Sequence, residues 1–121
     1  ESTADVQSVI DSGQAFNVIY AENDDMAKGA VAALDKANIS HGVGKDVIVM
    51  GFDCNKWALE ELLNQNWNYD GQCNPYQASY IEDVIKKLEA GETLDEKTII
   101  MDEKGFDATT ITQDDVDQFG I

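Results

Sequence analysis

Apolar positions change their spacing several times along the chain, and each change marks an element. Over residues 4–12, Val6, Val9 and Ile10 fall three and four apart, which predicts a short amphipathic helix ended by Gly13. Residues 17–20 close in the run Val18-Ile19-Tyr20, read as a short buried strand. Residues 24–37 return to a helical period, with Met26, Ala27, Ala30, Val31, Leu34 and Ala37 on one face. Its small residues suit close approach to a sheet. Val47-Ile48-Val49-Met50 is continuously apolar, as expected of a strand buried on both faces of a parallel sheet. It runs through Gly51-Phe52-Asp53-Cys54-Asn55 into a helix with Ala58, Leu59, Leu62 and Leu63 inward. Residues 67–73 alternate in period two, the pattern of a half-buried or edge strand. Asn74-Pro75 then suits the cap and first turn of a long helix over residues 75–90. That helix carries Ala78, Ile81, Val84, Ile85 and Leu88, and Gly91 ends it. Thr98-Ile99-Ile100-Met101 predicts the last strand, and residues 111–116 a capped terminal helix with Phe119 near its end.

Strand alternating with helix is the pattern of a doubly wound α/β fold. In such folds ligands bind at the carboxyl ends of the strands. The junction after Tyr20 is therefore the first candidate site. Asn23 suits an N-cap, and Asp24 and Asp25 sit in the first turn, against the positive end of the helix dipole. Capping chemistry alone accounts for the triplet. His41, the only histidine, lies in the loop 38–45, predicted to be exposed and without a partner. The glycines of Gly42-Val43-Gly44 precede a strand instead of following one, which makes a turn, not a nucleotide loop.

At 121 residues the chain is one domain's worth, and an apolar fraction of 43% argues against disorder. A formal charge of −16 argues against nucleic acid or an anionic membrane surface as partner, since both need a basic patch. No apolar run approaches the roughly 20 residues that span a bilayer. A start at Glu1-Ser2-Thr3 suggests a piece of a longer protein. Cys54 and Cys73 fit neither a zinc spacing nor a redox motif, leaving a disulfide or two buried thiols. The acidic clusters lack the ligand ladder of a calcium loop, so no metal or cofactor is expected. Hydrolase and nucleotide motifs are absent, and Glu22 with Asp24 is better read as a helix start than as an acid–base pair, so no enzyme is expected.

The wording of three segments adds to this. Asn23-Asp24-Asp25-Met26-Ala27, with Gly29-Ala30 after it, resembles the second lobe of the type I periplasmic sugar-binding proteins, the receptors of bacterial ABC importers. Gly51-Phe52-Asp53 at a strand end and Gln72-Cys73-Asn74-Pro75 at the crossing between lobes fit the same family. The resemblance implies one lobe of that fold, a three-layer, mostly parallel sheet. Residues 1–73 would be the core of a partial C-terminal lobe, 74–97 a crossing helix that normally packs on the absent first lobe, and 98–121 the returning strand and tail.

It also implies that Asp24 points into the cleft and accepts hydrogen bonds from sugar hydroxyls, a task that suits an ionised carboxylate. Asn23, Gln72, Cys73 and Asn74 are further candidates, Cys73 standing where the family often has a better hydrogen-bonding side chain. Trp57 could stack on a sugar ring, although packing at a helix start explains it as well. The implied function is extracytoplasmic: secreted, periplasmic or lipid-anchored reception of a monosaccharide, handed to an ABC permease. An effector domain of a lactose-repressor-type regulator or a membrane-receptor sugar sensor is the alternative. Without its first lobe, the stripe Ala78, Ile81, Val84, Ile85 and Leu88 needs new cover, by repositioning or by exchange between copies.

Overall fold

The computed structural model describes residues 1–121. Helix α1 (Ser2–Asp11) precedes strand β1 (Val18–Tyr20), helix α2 (Asp24–Lys36), strand β2 (Ile48–Asp53), helix α3 (Lys56–Leu63) and strand β3 (Tyr69–Gln72). Helix α4 (Ala78–Glu89), strand β4 (Gly105–Asp107) and helix α5 (Gln113–Phe119) complete the chain. Its contacts divide it into two units, Glu1–Cys73 with Lys104–Ile121, and Asn74–Glu103.

The first unit holds the sheet, in the order β1-β2-β3-β4. The first three strands are parallel and β4 is antiparallel to β3. Both crossovers step the same way along the sheet, and right-handed connections therefore put α2 and α3 on one face. On that face Leu34, Val49, Leu59, Leu62 and Trp67 are buried, with Ala27, Ala30 and Ala33 letting α2 approach closely. Val116 of α5 and Phe106 of β4 close the far end. The opposite face carries Val18, Tyr20 and Ile48 at 44%, 64% and 42% exposure. Burial of residues 47–50 on both faces is thus corrected: Val47 and Val49 are covered and Ile48 is not. A continuous apolar run states what a strand tolerates; which neighbours are present decides what is covered. On the open face Tyr20, Phe52 and Tyr69 form an aromatic row, with ring centroids 5.2 and 6.4 Å apart.

Other expectations shift. The last strand is Gly105–Asp107, and residues 98–101 form no strand. Phe106 pairs with Asp70 and is buried, whereas Ile99 and Ile100 are exposed and find no ladder. Within the second unit, α4 begins at Ala78 instead of Pro75. Asn74 Oδ1 accepts the N–H of Tyr76 at 2.8 Å, a two-residue turn that spends the intended cap before the helix starts. Helix α5 starts at a capping box, in which Thr112 and Asp115 satisfy each other's free N–H groups. Cys54 is buried and Cys73 exposed, both free, so neither expected pairing of thiols is found. No helix is long and apolar enough to cross a membrane.

Candidate functional site

Two strand-to-helix turns and the chain's last residue meet at the carboxyl edge of the sheet. After β1, Asn23 adopts an extended backbone and its Oδ1 accepts the N–H of Met26 at 2.8 Å, so the side chain is spent on starting α2. Asp24, the next residue, is fully buried. After β2 the backbone takes φ values of 125° at Asp53 and 63° at Cys54, a region that L side chains rarely occupy. Such a turn persists only when its surroundings hold it. Two contacts do so. Asn55 donates its backbone N–H to Asp24 Oδ2 at 2.8 Å and its side-chain Nδ2–H at 3.1 Å. At the chain's end, the N–H of Ile121 reaches Cys54 O at 3.0 Å, and the N–H of Lys56 reaches Ile121 O at 3.1 Å.

Beneath that turn lies a second carboxyl, Asp70 of β3, also fully buried. It pairs across the sheet with Gly51. A Cβ on Gly51 would stand 2.6 Å from Asp24 Oδ1 and 2.9 Å from the Trp67 ring, so only glycine leaves room for the carboxyl. The thiol of Cys54 lies 3.9 Å from Asp70 Oδ1. Burial raises Asp24 above the ordinary carboxylate range, against the pull of the two Asn55 donors. Burial first, then the charge of Asp24, pushes Asp70 up to about 8. The Cys54 thiol is raised by burial and by the nearby carboxylates, which keeps it protonated and unreactive. No group of three His, Cys, Asp or Glu side chains is placed to hold a metal ion.

Among the candidates read from the sequence, Asn23 and Asp24 lie at the start of α2, just past β1, and Gln72 at the end of β3, all on this edge. Gln72 closes β3, with Oε1 accepting the N–H of Lys104 at 3.2 Å, and Cys73 follows it, exposed. Asn74 opens the second unit, where its N–H donates to Glu103 at 2.7 Å. Trp57 goes elsewhere. Its ring stands edge-on to Trp67 at 5.8 Å with Lys28 Nζ 4.5 Å above it, in a groove shared with His41 and Asn66. His41 is itself clasped, by Asn66 O at 2.8 Å and Asp35 at 3.1 Å, which corrects the expectation of an exposed, partnerless ring. Asp70, Asn55 and the tail residue Ile121 were not among the candidates. In the alternating stretch 67–73 Asp70 falls among the polar positions with Asn68 and Gln72, so the sequence pattern carried no signal that its carboxyl is buried.

Comparison with known proteins bears on the fold that carries this edge. No family model matches the chain. A stretch of 92 residues, 76% of the chain, is 34% identical to the fructose import binding protein FruE of Bifidobacterium longum. A crystal structure from Mycobacterium smegmatis in complex with β-D-fucofuranose superposes with a TM-score of 0.75 at 27% identity over 89% of the chain. The fold is that of one lobe of a type I periplasmic binding protein, and in sequence the chain is similar to sugar-binding proteins of that kind. A galactofuranose-binding protein agrees in fold, with a TM-score of 0.82 over 98% of the chain at 21% identity. The chain spans 27% of the length of the fructose protein and 34% and 40% of the two solved chains. For this lobe, the open, mostly parallel α/β sheet and the resemblance to sugar-binding proteins both hold, while the expected second layer of helices does not cover the face that carries Val18, Tyr20 and Ile48.

Proposed function

We propose that this lobe is half of an extracytoplasmic sugar receptor that serves an ABC importer. The observation that carries the reading is the meeting of Asn23-Asp24 and the strained Asp53–Asn55 turn at one sheet edge, in a chain 34% identical to a fructose import binding protein. The ligand class is a monosaccharide or a similar sugar, and the work is hinge closure with no chemistry. One wall of the cleft is built from this edge: Asn55, Gln72 and Cys73 at the rim, with Asp24 below. Asp24 Oδ2 holds the Asn55 side chain and backbone together. For Asp24 to take a sugar hydroxyl directly, Asn55 Nδ2 must swing away, leaving the shorter backbone bond in place. The other wall belongs to a first lobe, which also covers the apolar stripe of α4; in isolation that stripe drives exchange between copies. A lipid anchor on the outer face of the membrane and a free periplasmic form both fit this role.

A half-site binds weakly, because closure and most of the desolvation are missing. Calorimetric titration of this chain with sugars is therefore expected to show little heat, and the two-lobed protein a saturable curve. Tight binding by this chain alone would contradict the reading. A thermal-shift screen of sugars on the two-lobed protein identifies the ligand, and Asp24→Ala is expected to abolish the shift.

A further inference from the structure

We propose that Asp24 and Asp70 hold one proton between them, and that this acid pair makes Asp70 the positioning residue for the Asp53–Asn55 turn. Its link to a sugar site rests on the function proposed above; the proton itself does not. Each carboxyl has one oxygen with a partner: Asp24 Oδ2 takes the two Asn55 donors, and Asp70 Oδ1 faces the Cys54 thiol. The remaining two, Asp24 Oδ1 and Asp70 Oδ2, are buried and have no donor from any other residue. Buried polar atoms are nearly always paired, and two orphans on neighbouring acids ask for a common explanation.

The surroundings leave few ways to satisfy them. From the end of β2 the groups that face the pair are Asp53 and Cys54, one acidic and one a protonated thiol. Neither acid forms an ion pair with a lysine, the lysines that do pair being Lys56 with Asp117 and Lys86 with Glu82. Two ionised carboxylates buried side by side would repel strongly. A single proton removes the conflict. Asp70 Oδ2–H donates to Asp24 Oδ1, the pair carries one negative charge, and Asp24 Oδ2 keeps its full strength as acceptor for the Asn55 N–H. Gly51 is the complement of this arrangement, since any side chain there would meet Asp24 Oδ1. Folding raises the proton affinity of Asp70, so its contribution to stability is complete in acid. That contribution is lost as pH rises from the ordinary carboxylate range through about 8. Once the proton leaves, repulsion loosens the hold of Asp24 on the turn.

Infrared spectroscopy of the whole chain at about pH 6.5, where exposed carboxyls are ionised, tests this. A protonated-carboxyl band is expected in the wild type and its loss in Asp70→Asn; in Asp24→Asn, where the neighbouring charge is gone, the band is expected to titrate away at lower pH than in the wild type. By ¹⁵N NMR, the Asn55 amide is expected to shift as pH is raised through about 8 in the wild type and to stay still in Asp70→Asn. Absence of the band in the wild type, its survival in Asp70→Asn, or an unchanged titration in Asp24→Asn would overturn the proposal. Should Asp70→Asn fail to fold, the wild-type spectrum and Asp24→Asn still decide. None of these readouts involves sugar. A positive band in a protein that binds no sugar therefore supports the acid pair and refutes only the receptor reading.

Discussion

Helices α2 and α4 begin from the same kind of sequence and end in opposite conditions. Each is three turns or so long, 13 and 12 residues, and each carries an apolar stripe at helical spacing. In α2 the stripe is wholly covered at Ala27, Ala30, Ala33 and Leu34. In α4 no residue is buried, and Ile81, Ile85 and Leu88 stand half-exposed. The stripe of α4 is built of larger residues, so hydrophobicity does not explain the difference. Cover does. Helix α2 lies between two paired strands of its own unit and can pack on them, while the second unit offers α4 no sheet. Amphipathicity tells which face of a helix seeks cover, and the partner has to come from elsewhere.

The largest effects expected from this contrast fall on the covered side. Leu34→Ala should cost about 2–5 kcal/mol in urea unfolding, by lost transfer energy and the cavity left behind. Leu88→Ala in α4 should move the same midpoint by no more than about 0.5 kcal/mol. An equal cost at both positions would show that α4 is packed in solution and break the comparison. Gly51→Ala comes next, at about 1–3 kcal/mol, because its methyl meets a buried carboxyl and the Trp67 ring with no room to retreat. Asn23→Ala sharpens the picture at the start of α2 and should cost about 1 kcal/mol, the loss of one cap. Replacement of Ile81 and Ile85 together by serine should leave stability nearly unchanged. In analytical ultracentrifugation it should shift any associated species toward monomer. Association that is indifferent to those two side chains places the contact on another surface.

Much of the site edge was legible because its reasons are local. The Asn23 cap, the acidic first turn of α2 and the strand-to-helix step after Tyr20 depend on neighbours within a few residues, and the structure keeps all three. Two features were not legible. The carboxyl of Asp70 enters the core beside Asp24 only because β3 pairs with β2 in a register that sets it opposite Gly51. The hold of Ile121 on Cys54 depends on a chain end 67 positions away, which no local pattern signals. The missed fourth strand has the same cause: Gly105-Phe106-Asp107 has little strand character, and pairing with β3 made it one.

By itself, the order of residues determined where most helices begin and stop, α4 excepted, the alternation that makes a parallel sheet, and a family resemblance carried by short segments. These depend on backbone preferences, caps and periodicity, which act over a turn or a few residues. Only the tertiary structure decided which apolar faces find cover, which strand closes the sheet, and that two acids separated by 46 positions share a buried space. Contacts between distant segments are set by register and packing geometry, and a linear pattern carries neither.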